Sequence, residues 1–520
     1  MLQALLIAFF LQASQPYDII ISNGTIVDGS GNPWFRGDVA IRGDSIVHIG
    51  LLGDVPALRR IDARGLVVAP GFIDIHTHAR RGIFQDPNAQ NYIRQGVTTL
   101  LEGNDGSSPI PLAPFFEKLS QNKMAVNFGS FAGQGSIRQQ VLGLENRRAT
   151  VAEIARMKDL ARQAMREGAF GLSTGLFYVP GNFTPTEEVI EIAKVVGALG
   201  GMHISHMRDE AAGVMDSVRE TIRIGAEGGL PTQLTHHKII GKANWGHSVE
   251  TLQLVEEARA RGVDVTIDAY PYTASSTGLA ALFPQWSQAG GQKALIERLS
   301  APEQRSRIKA AIVENILVNR GGGDPKNVII ASCAFDPKLA GKSLADLTAE
   351  HRQTVTPENA AETAIELQKR GSCSAVYHAI DERDVERVLR SPYTMIGSDG
   401  EIPVFGQGAP HPRSYGTFAR VLARYVRERK VLTLEDAIRK MSGYPAERLK
   451  LLDRGLLRPG MKADVVVFDA TTVQDKADFA NPHQYAEGFR YVIVNGTPVI
   501  DGGKLTQARP GRVLYGPAKQ

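Results

Sequence analysis

Val67-Val68-Ala69-Pro70-Gly71-Phe72-Ile73-Asp74-Ile75-His76-Thr77-His78 is a short apolar run that ends in two histidines spaced i, i+2. Side chains alternate along an extended chain, so His76 and His78 point to one side and Thr77 to the other. Two imidazoles converging at the carboxyl end of a buried strand can hold one divalent metal ion, and that end is where barrel enzymes place their chemistry. The competing reading is a pair of core histidines in ordinary hydrogen bonds. What the rest of the chain supplies decides between them.

Upstream, residues 18–21, 25–27, 38–41 and 45–49 are short β-rich runs broken by Asn23-Gly24, Gly29 and Gly43-Asp44, which are hairpin-like signals. The same composition returns at 464–469, 491–496 and 497–500. The simplest joint reading is one small β-domain built from both chain ends, residues 17–66 and 446–520, with a larger domain over 67–445 between them. In that middle part, strand candidates at 98–101, 124–131, 201–205, 232–235, 264–268 and 394–396 alternate with helical patterns such as 151–167, 186–197, 212–227 and 248–261. Such alternation predicts an α/β fold of βαβ units, and their number suits a (β/α)₈ TIM-like barrel. Residues 283–326 read as helical and surface-like, closed by Gly321-Gly322-Gly323, and are expected to be an insertion and candidate lid.

At 520 residues, with 43% hydrophobic and 22% charged, the chain has ample material for a folded core. Its 59 basic and 55 acidic residues are spread without long basic runs, which gives nucleic-acid binding no support. The two cysteines, Cys333 and Cys373, form no CxxC or CxxH pattern, so thiolate zinc sites are not expected. They could pair or stay free, and a scaffold this large does not need a disulfide. The first residues, MLQALLIAFFLQ, are too short an apolar run to span a bilayer but suit a secretory signal over residues 1–16. No Lys or Arg precedes the run. Export to the periplasm or medium is the expectation, and a packed terminal segment of a cytoplasmic protein is the alternative; nothing later resembles a membrane span.

After His76 and His78, potential ligands recur at strand ends: Glu102-Gly103-Asn104-Asp105-Gly106, then Ser205-His206-Met207-Arg208-Asp209-Glu210, Thr235-His236-His237-Lys238 and Ser398-Asp399-Gly400. Each alone is explained by a buried hydrogen bond, a helix cap or a surface pair. Together, several strand ends supplying His and Asp toward one mouth are what a metal-dependent hydrolase needs.

With GFIDIHTHAR, SHMRDE, THHK, SDG and HPRSYGTF in this order, the chain resembles the amidohydrolase superfamily, specifically its N-acyl-D-amino-acid deacylase branch, from about Asp18 to Gly511. The resemblance implies a (β/α)₈ barrel with a β-sandwich made from both chain ends, and hydrolysis of the amide of N-acyl-D-amino acids, small-molecule substrates. It implies metal ligation by His76, His78, His206 and His236, with Asp399 as general base and proton shuttle that also touches the metal. It also implies one tightly bound zinc with a second position available. Lys238, Arg413 and Tyr178 fall where the family holds the substrate carboxylate; Ser276 and Tyr270 also match substrate-facing positions, the tyrosine as a donor to the scissile carbonyl oxygen. One departure stands out: where the family has Gly-Asn-Cys-Gly, this chain has Gly103-Asn104-Asp105-Gly106. Asp105 thus replaces a soft thiolate with a hard carboxylate, which lowers selectivity for zinc against Mn²⁺. Glu102 is the alternative ligand, and Asp105 is preferred because it occupies the ligand position. His203 and His237 are assigned to packing or outer hydrogen bonding, His247, His351 and His378 to structure, and His411 stays unassigned. Rival activities on the same site are a D-residue dipeptidase, a cyclic amidase or a lactonase; the rival of another class is a non-catalytic scaffold. Oligomeric state is not readable.

Overall fold

The computed structural model describes residues 16–352 and 354–520. The expected signal segment, residues 1–16, lies outside the described residues except for Pro16. Among the described residues no helix is long and apolar enough to cross a membrane.

The histidine-bearing stretch is two strands in two sheets. Val67–Pro70 and Phe72–Asp74 are joined by Gly71 alone. No side chain fits at this joint, because a Cβ on Gly71 would lie 2.3 Å from Thr98 Oγ1. Val67–Pro70 pairs with Tyr17–Ile26 on one side and Val465–Phe468 on the other. The boundary expected between residues 66 and 67 is therefore corrected to Gly71.

Strands from both chain ends make one nine-stranded sheet. Its path runs Lys504–Leu505, Thr497–Asp501, Phe489–Val494, Val465–Phe468, Val67–Pro70, Tyr17–Ile26, Phe35–Arg42 and Ser45–Gly50, with Ala57–Asp62 added beside Tyr17–Ile26. Ile19, Ile21, Val39, Ile41, Val465 and Val467 from this sheet share one hydrophobic cluster. Gly43-Asp44 turns a hairpin as expected. Asn23-Gly24 does not: Asn23 takes φ 63° and the register shifts between Ile21 and Gly24, a bulge inside a continuous strand.

The middle of the chain forms two arcs of parallel strands. One holds Phe72–Asp74, Val97–Glu102 and Asn127–Ser130; the other holds Ala132–Gly133, Gly171–Gly175, Met202–His206, Thr232–Leu234, Val265–Ala269 and Thr394–Ile396. Phe131 alone separates the arcs at one seam. At the other, Thr77 bridges Gly400, the His78 amide donates to the Gly400 carbonyl at 2.7 Å, and the Asp399 amide donates to the His76 carbonyl at 2.8 Å. All these strands are buried along their length, as parallel strands covered by helices are. Helix Val151–Glu167 shows how sequence sets the connections: Thr150 and Glu153 close a capping box at its start, and Gly168 at φ 114° ends it. The Gly171–Gly175 strand escaped the sequence reading because GLSTG has almost no apolar signal. Its glycine is required by close approach, since a Cβ on Gly171 would sit 2.0 Å from the Met202 carbonyl oxygen.

The helical insertion expected at 283–326 belongs to a larger unit. Helices Gly291–Ser300, Pro302–Leu317, Leu344–Arg352 and Pro357–Arg370 pack with an antiparallel sheet of Ser275–Gly278, Cys373–Tyr377 and Val328–Cys333. Leu295, Ile312, Ile330, Leu347 and Ile365 share its hydrophobic cluster, so this segment is not merely surface. Cys333 and Cys373 face each other across the last two strands and form a disulfide, with Cα atoms 4.2 Å apart. The sequence left pairing open; the two cysteines are paired, and the bond ties the far edge of a three-stranded sheet.

Closing a loop of 40 residues restricts the unfolded chain by about 4 kcal/mol in the chain-entropy limit, and about 2–4 is typical. Cys373→Ser, or reduction with dithiothreitol, is expected to lower the melting temperature and open residues 275–377 to proteolysis. An unchanged melt and digestion pattern would show that the bond contributes nothing.

Candidate metal centre

Every proposed ligand stands at or just past the carboxyl end of a parallel strand. His76 and His78 follow Phe72–Asp74, Asp105 follows Val97–Glu102, His206 ends Met202–His206, His236 follows Thr232–Leu234, and Asp399 follows Thr394–Ile396. Thr77 turns the other way and donates to the Leu101 carbonyl at 2.9 Å. The donor atoms fall into two groups, each within 4.8 Å: His76, His78, Asp105 and Asp399 in one, Asp105, His206 and His236 in the other.

Asp105 is common to both. Its Oδ1 lies 3.5 Å from His76 Nε2 and 3.4 Å from His236 Nε2; its Oδ2 lies 3.4 Å from His78 Nε2 and 3.5 Å from His206 Nδ1. Asp399 Oδ1 is 3.0 Å from His78 Nε2 and 3.6 Å from His76 Nε2. Asp105, His236 and Asp399 all hold positive φ, at 54°, 35° and 52°. For non-glycine residues such backbone costs about 1–3 kcal/mol each and persists only where the surroundings impose it. Glu102 is not in either group; one of its oxygens accepts from the Arg80 amide at 2.9 Å.

The donor set fits a divalent cation. His76 Nε2 and Asp105 Oδ1 are buried with no hydrogen-bond partner, and His206 Nδ1 stands 2.7 Å from His236 Nε2, where one proton at most can serve both. Imidazole nitrogens and carboxylate oxygens are zinc donors. The outer partners orient them. Asp268 Oδ1 takes His76 Nδ1 at 3.2 Å and the His236 backbone N–H at 2.8 Å, and its other oxygen accepts from Gln233 at 2.6 Å. A carboxylate on Nδ1 sets the His76 tautomer and leaves Nε2 toward the centre. Burial opposes charge here, and the groups respond differently: it keeps the His206 imidazole low, while neighbouring carboxylates outweigh it at His76. Burial lowers the His76 imidazole, yet Asp268 and Asp105 lift it to about 10. Burial raises the Asp105 carboxyl, yet His236, His206 and His76 hold it well below the carboxylate range.

Above the centre lies a cavity of about 710 Å³ lined by His78, Asp105, Asp399, Arg413, Tyr178 and Ser276 among others. Arg413 Nη1 pairs with Asp399 Oδ2 at 2.7 Å, and its Nη2 donates to the Ser276 carbonyl at 3.3 Å. Burial would raise the Asp399 carboxyl, but Arg413, His78 and His76 outweigh it and keep it ionised. Tyr270 is buried under both cations, 4.9 Å from the Arg413 guanidinium and 5.6 Å from Lys238 Nζ, and its hydroxyl has no partner. The Tyr178 ring lies against His206, centroids 4.6 Å apart and planes tilted by 56°, and its hydroxyl meets Thr277 Oγ1 at 3.1 Å. Lys238 is not on the cavity wall: its ammonium lies 2.5 Å from Glu210 Oε1 and 2.6 Å from His236 Nδ1. His203 sits between Thr174 and Thr232, and His237 on Thr251, as outer hydrogen-bonding groups. His411 lines the cavity with both nitrogens engaged, one by the Ala274 carbonyl and one by the Arg413 amide.

The amidohydrolase family model matches residues 59–178 and 334–500. Over 96% of its length the chain is 39% identical to the D-aminoacylase of Alcaligenes xylosoxydans xylosoxydans, spanning 98% of that protein. The chain belongs to the amidohydrolase family. A crystal structure of D-aminoacylase matches this amidohydrolase with a TM-score of 0.83 at 37% identity, covering 96% of this chain and 100% of that one. The N-acyl-D-glutamate deacylase of Bordetella bronchiseptica, complexed with zinc and a phosphonate mimic of the tetrahedral intermediate, matches at 0.82 and 34% identity, with 96% and 100% covered. The α/β fold is that of these enzymes.

Two residues of this amidohydrolase went unread in the sequence. Asp268, inside the strand Val265–Ala269, orients His76, and its only signal was a lone carboxylate in an apolar run. Glu210 holds Lys238 and lies 3.2 Å from His236 Nδ1; four residues after His206, it had the spacing of a helix-face partner.

Because Asp105 serves both groups, Asp105→Ala is expected to remove tightly held metal altogether, while His78→Ala leaves the His206–His236 side loaded. Elemental analysis after dialysis checks this. Asp268→Asn should weaken affinity about 10–100-fold through loss of ligand orientation. Full metal content in Asp105→Ala would contradict the shared-carboxylate geometry.

Proposed function

We propose that this chain is a metal-dependent N-acyl-D-amino-acid deacylase, hydrolysing the amide to a carboxylate and a D-amino acid. The observation that carries the reading is the placement of Arg413 on the cavity wall, 2.7 Å from Asp399 and beside the two donor groups. A fixed guanidinium next to a hydrolytic centre suits a substrate with a free α-carboxylate. A simple lactone or unsubstituted cyclic amide offers no such group, and a non-catalytic scaffold would have no use for strained, unpartnered donors. D-aminoacylase is what the chain is most fully matched to among the relatives above.

His206, His236 and Asp105 would hold the firmer ion, and His76, His78 and Asp399 a second, with Asp105 shared. We take the ion to be zinc, as in the deacylase complex, with Mn²⁺ accepted because no thiolate selects against it. When bound, such an ion polarises the scissile carbonyl and acidifies a water molecule. The chain does the rest. Asp399, kept ionised by Arg413 and His78, accepts the proton of the attacking water as the C–O bond forms, and delivers it to the amide nitrogen as the C–N bond breaks. The Tyr270 hydroxyl, buried and unpartnered, donates to the carbonyl oxygen as charge develops there. Arg413 grips the α-carboxylate, with Ser276 and Tyr178 at the same wall; Lys238, behind the wall, holds Glu210 and His236 instead.

The two parallel arcs read as one (β/α)₈ barrel, supported by the seams at Phe131 and Thr77–Gly400. The nine-stranded sheet of both chain ends reads as its β-sandwich. Export is supported by the apolar leader and by a disulfide, which forms in oxidising compartments.

Arg413→Ala is expected to raise KM for N-acetyl-D-methionine about 10–100-fold, the range for losing one charged hydrogen-bonded pair, and to lower kcat through Asp399. Chelation should abolish turnover and zinc restore it. Hydrolysis unchanged in Arg413→Ala would sink the deacylase reading while leaving a hydrolase, and activity on N-acetyl-L-amino acids alone would reverse the assigned chirality.

A further inference from the structure

The cavity over the metal centre carries an uneven charge set. Its acidic groups are Asp105, Asp399 and Glu401, while Arg413 is its one guanidinium or ammonium group among the described residues. Asp105 and Asp399 face imidazoles and Arg413. Glu401 does not: its backbone is anchored, with the amide bonded to Ser414 Oγ and the carbonyl to Asn91, but its carboxylate has no hydrogen bond or ion pair, and the residue is exposed. It is close enough to Arg413 to act on that guanidinium electrostatically. Of the two histidines on the wall, His78 faces Asp105 and Asp399, and His411 has both ring nitrogens occupied, one of them as an acceptor. Much of the remaining wall is apolar, with Val179 and Pro180 on one side and Ala331, Ala334, Pro337 and Val404 from the insertion and the loop after Asp399.

A substrate with an acidic side chain brings two carboxylates. One guanidinium can take the α-carboxylate, and the second is left with neutral groups such as Ser332, Ser374 and Gln407 and with the charge of Glu401, with no second cation to pair it. A charge left unpaired in a partly desolvated cavity is the strongest kind of discrimination that a binding site exerts. We propose that this cavity selects N-acyl-D-amino acids with uncharged, apolar side chains, and that Glu401 is the residue that turns acidic ones away. The inference rests on the deacylase reading and goes beyond it, since the relatives divide among D-aminoacylase, N-acyl-D-glutamate deacylase and N-acyl-D-aspartate deacylase.

The test compares kcat/KM of the zinc-loaded enzyme on N-acetyl-D-leucine, N-acetyl-D-methionine, N-acetyl-D-glutamate and N-acetyl-D-aspartate. The expected preference for the first two is about 100-fold or more. Glu401→Gln is expected to raise the glutamate-to-leucine ratio about 3–10-fold, the scale of one screened charge pair, and Glu401→Lys to raise it further. Added salt should narrow the ratio in the wild type and leave it unmoved in Glu401→Gln, a response that a merely structural role for Glu401 would not produce. Acidic substrates turned over within threefold of leucine, or a ratio insensitive to both substitutions, overturns this proposal alone. Failure on every N-acyl-D-amino acid takes it down together with the deacylase reading.

Discussion

The carboxylate of Asp105 is the constraint on which the rest of the site depends. Four imidazoles from three strand ends face its two oxygens at 3.4 to 3.5 Å, and no other side chain belongs to both donor groups. To reach that point the chain must leave the strand Val97–Glu102 through a turn that only glycines allow. Gly103 and Gly106 hold φ of 84° and 75°, and a Cβ on Gly106 would lie 2.7 Å from the Gly175 amide nitrogen. Ser173, in the strand Gly171–Gly175 on the far side of the Phe131 seam, locks the turn by accepting from the Gly106 amide at 2.9 Å and donating to the Gly103 carbonyl at 2.5 Å. A strand poor in apolar residues thus serves to position the most central ligand.

The second constraint is electrostatic. Burying carboxylates and imidazoles together is costly unless each is paired. Here the pairing is layered, with Asp268 behind His76, Glu210 behind His236 and Lys238, and Arg413 behind Asp399. Each outer group fixes the orientation of the one in front. The seam at Thr77–Gly400 puts His78 and Asp399 on hydrogen-bonded neighbours, which holds the two side chains in fixed relation. One wall of the cavity is built by the disulfide-tied insertion, which contributes Ala331, Ser332 and Cys333.

Strand-end spacing made most of this legible. His76, His78, His206, His236 and Asp399 are polar residues closing apolar runs, and periodicity shows that directly. The parallel strands and the helices Val151–Glu167 and Thr186–Ala198 were readable for the same reason. What stayed hidden were features set by distant partners. Gly71 looks like one position in a single strand until Thr98 and Asp464 are placed against it. The Gly171–Gly175 strand has no local signal, and the disulfide depends on the register of two strands 40 residues apart. The sharing of Asp105 between both groups is a matter of convergence in three dimensions, which spacing along the chain does not encode; the ligand set itself was suggested by resemblance, with a carboxylate where a cysteine was expected.

Anomalous diffraction at the zinc edge, from crystals of the zinc-loaded protein, tests the account most directly. It predicts a peak at about 2.0–2.2 Å from an Asp105 oxygen and from a ring nitrogen of both His206 and His236, with any second peak also in contact with Asp105. A well-occupied zinc held without Asp105, or held by Glu102 in its place, would contradict it.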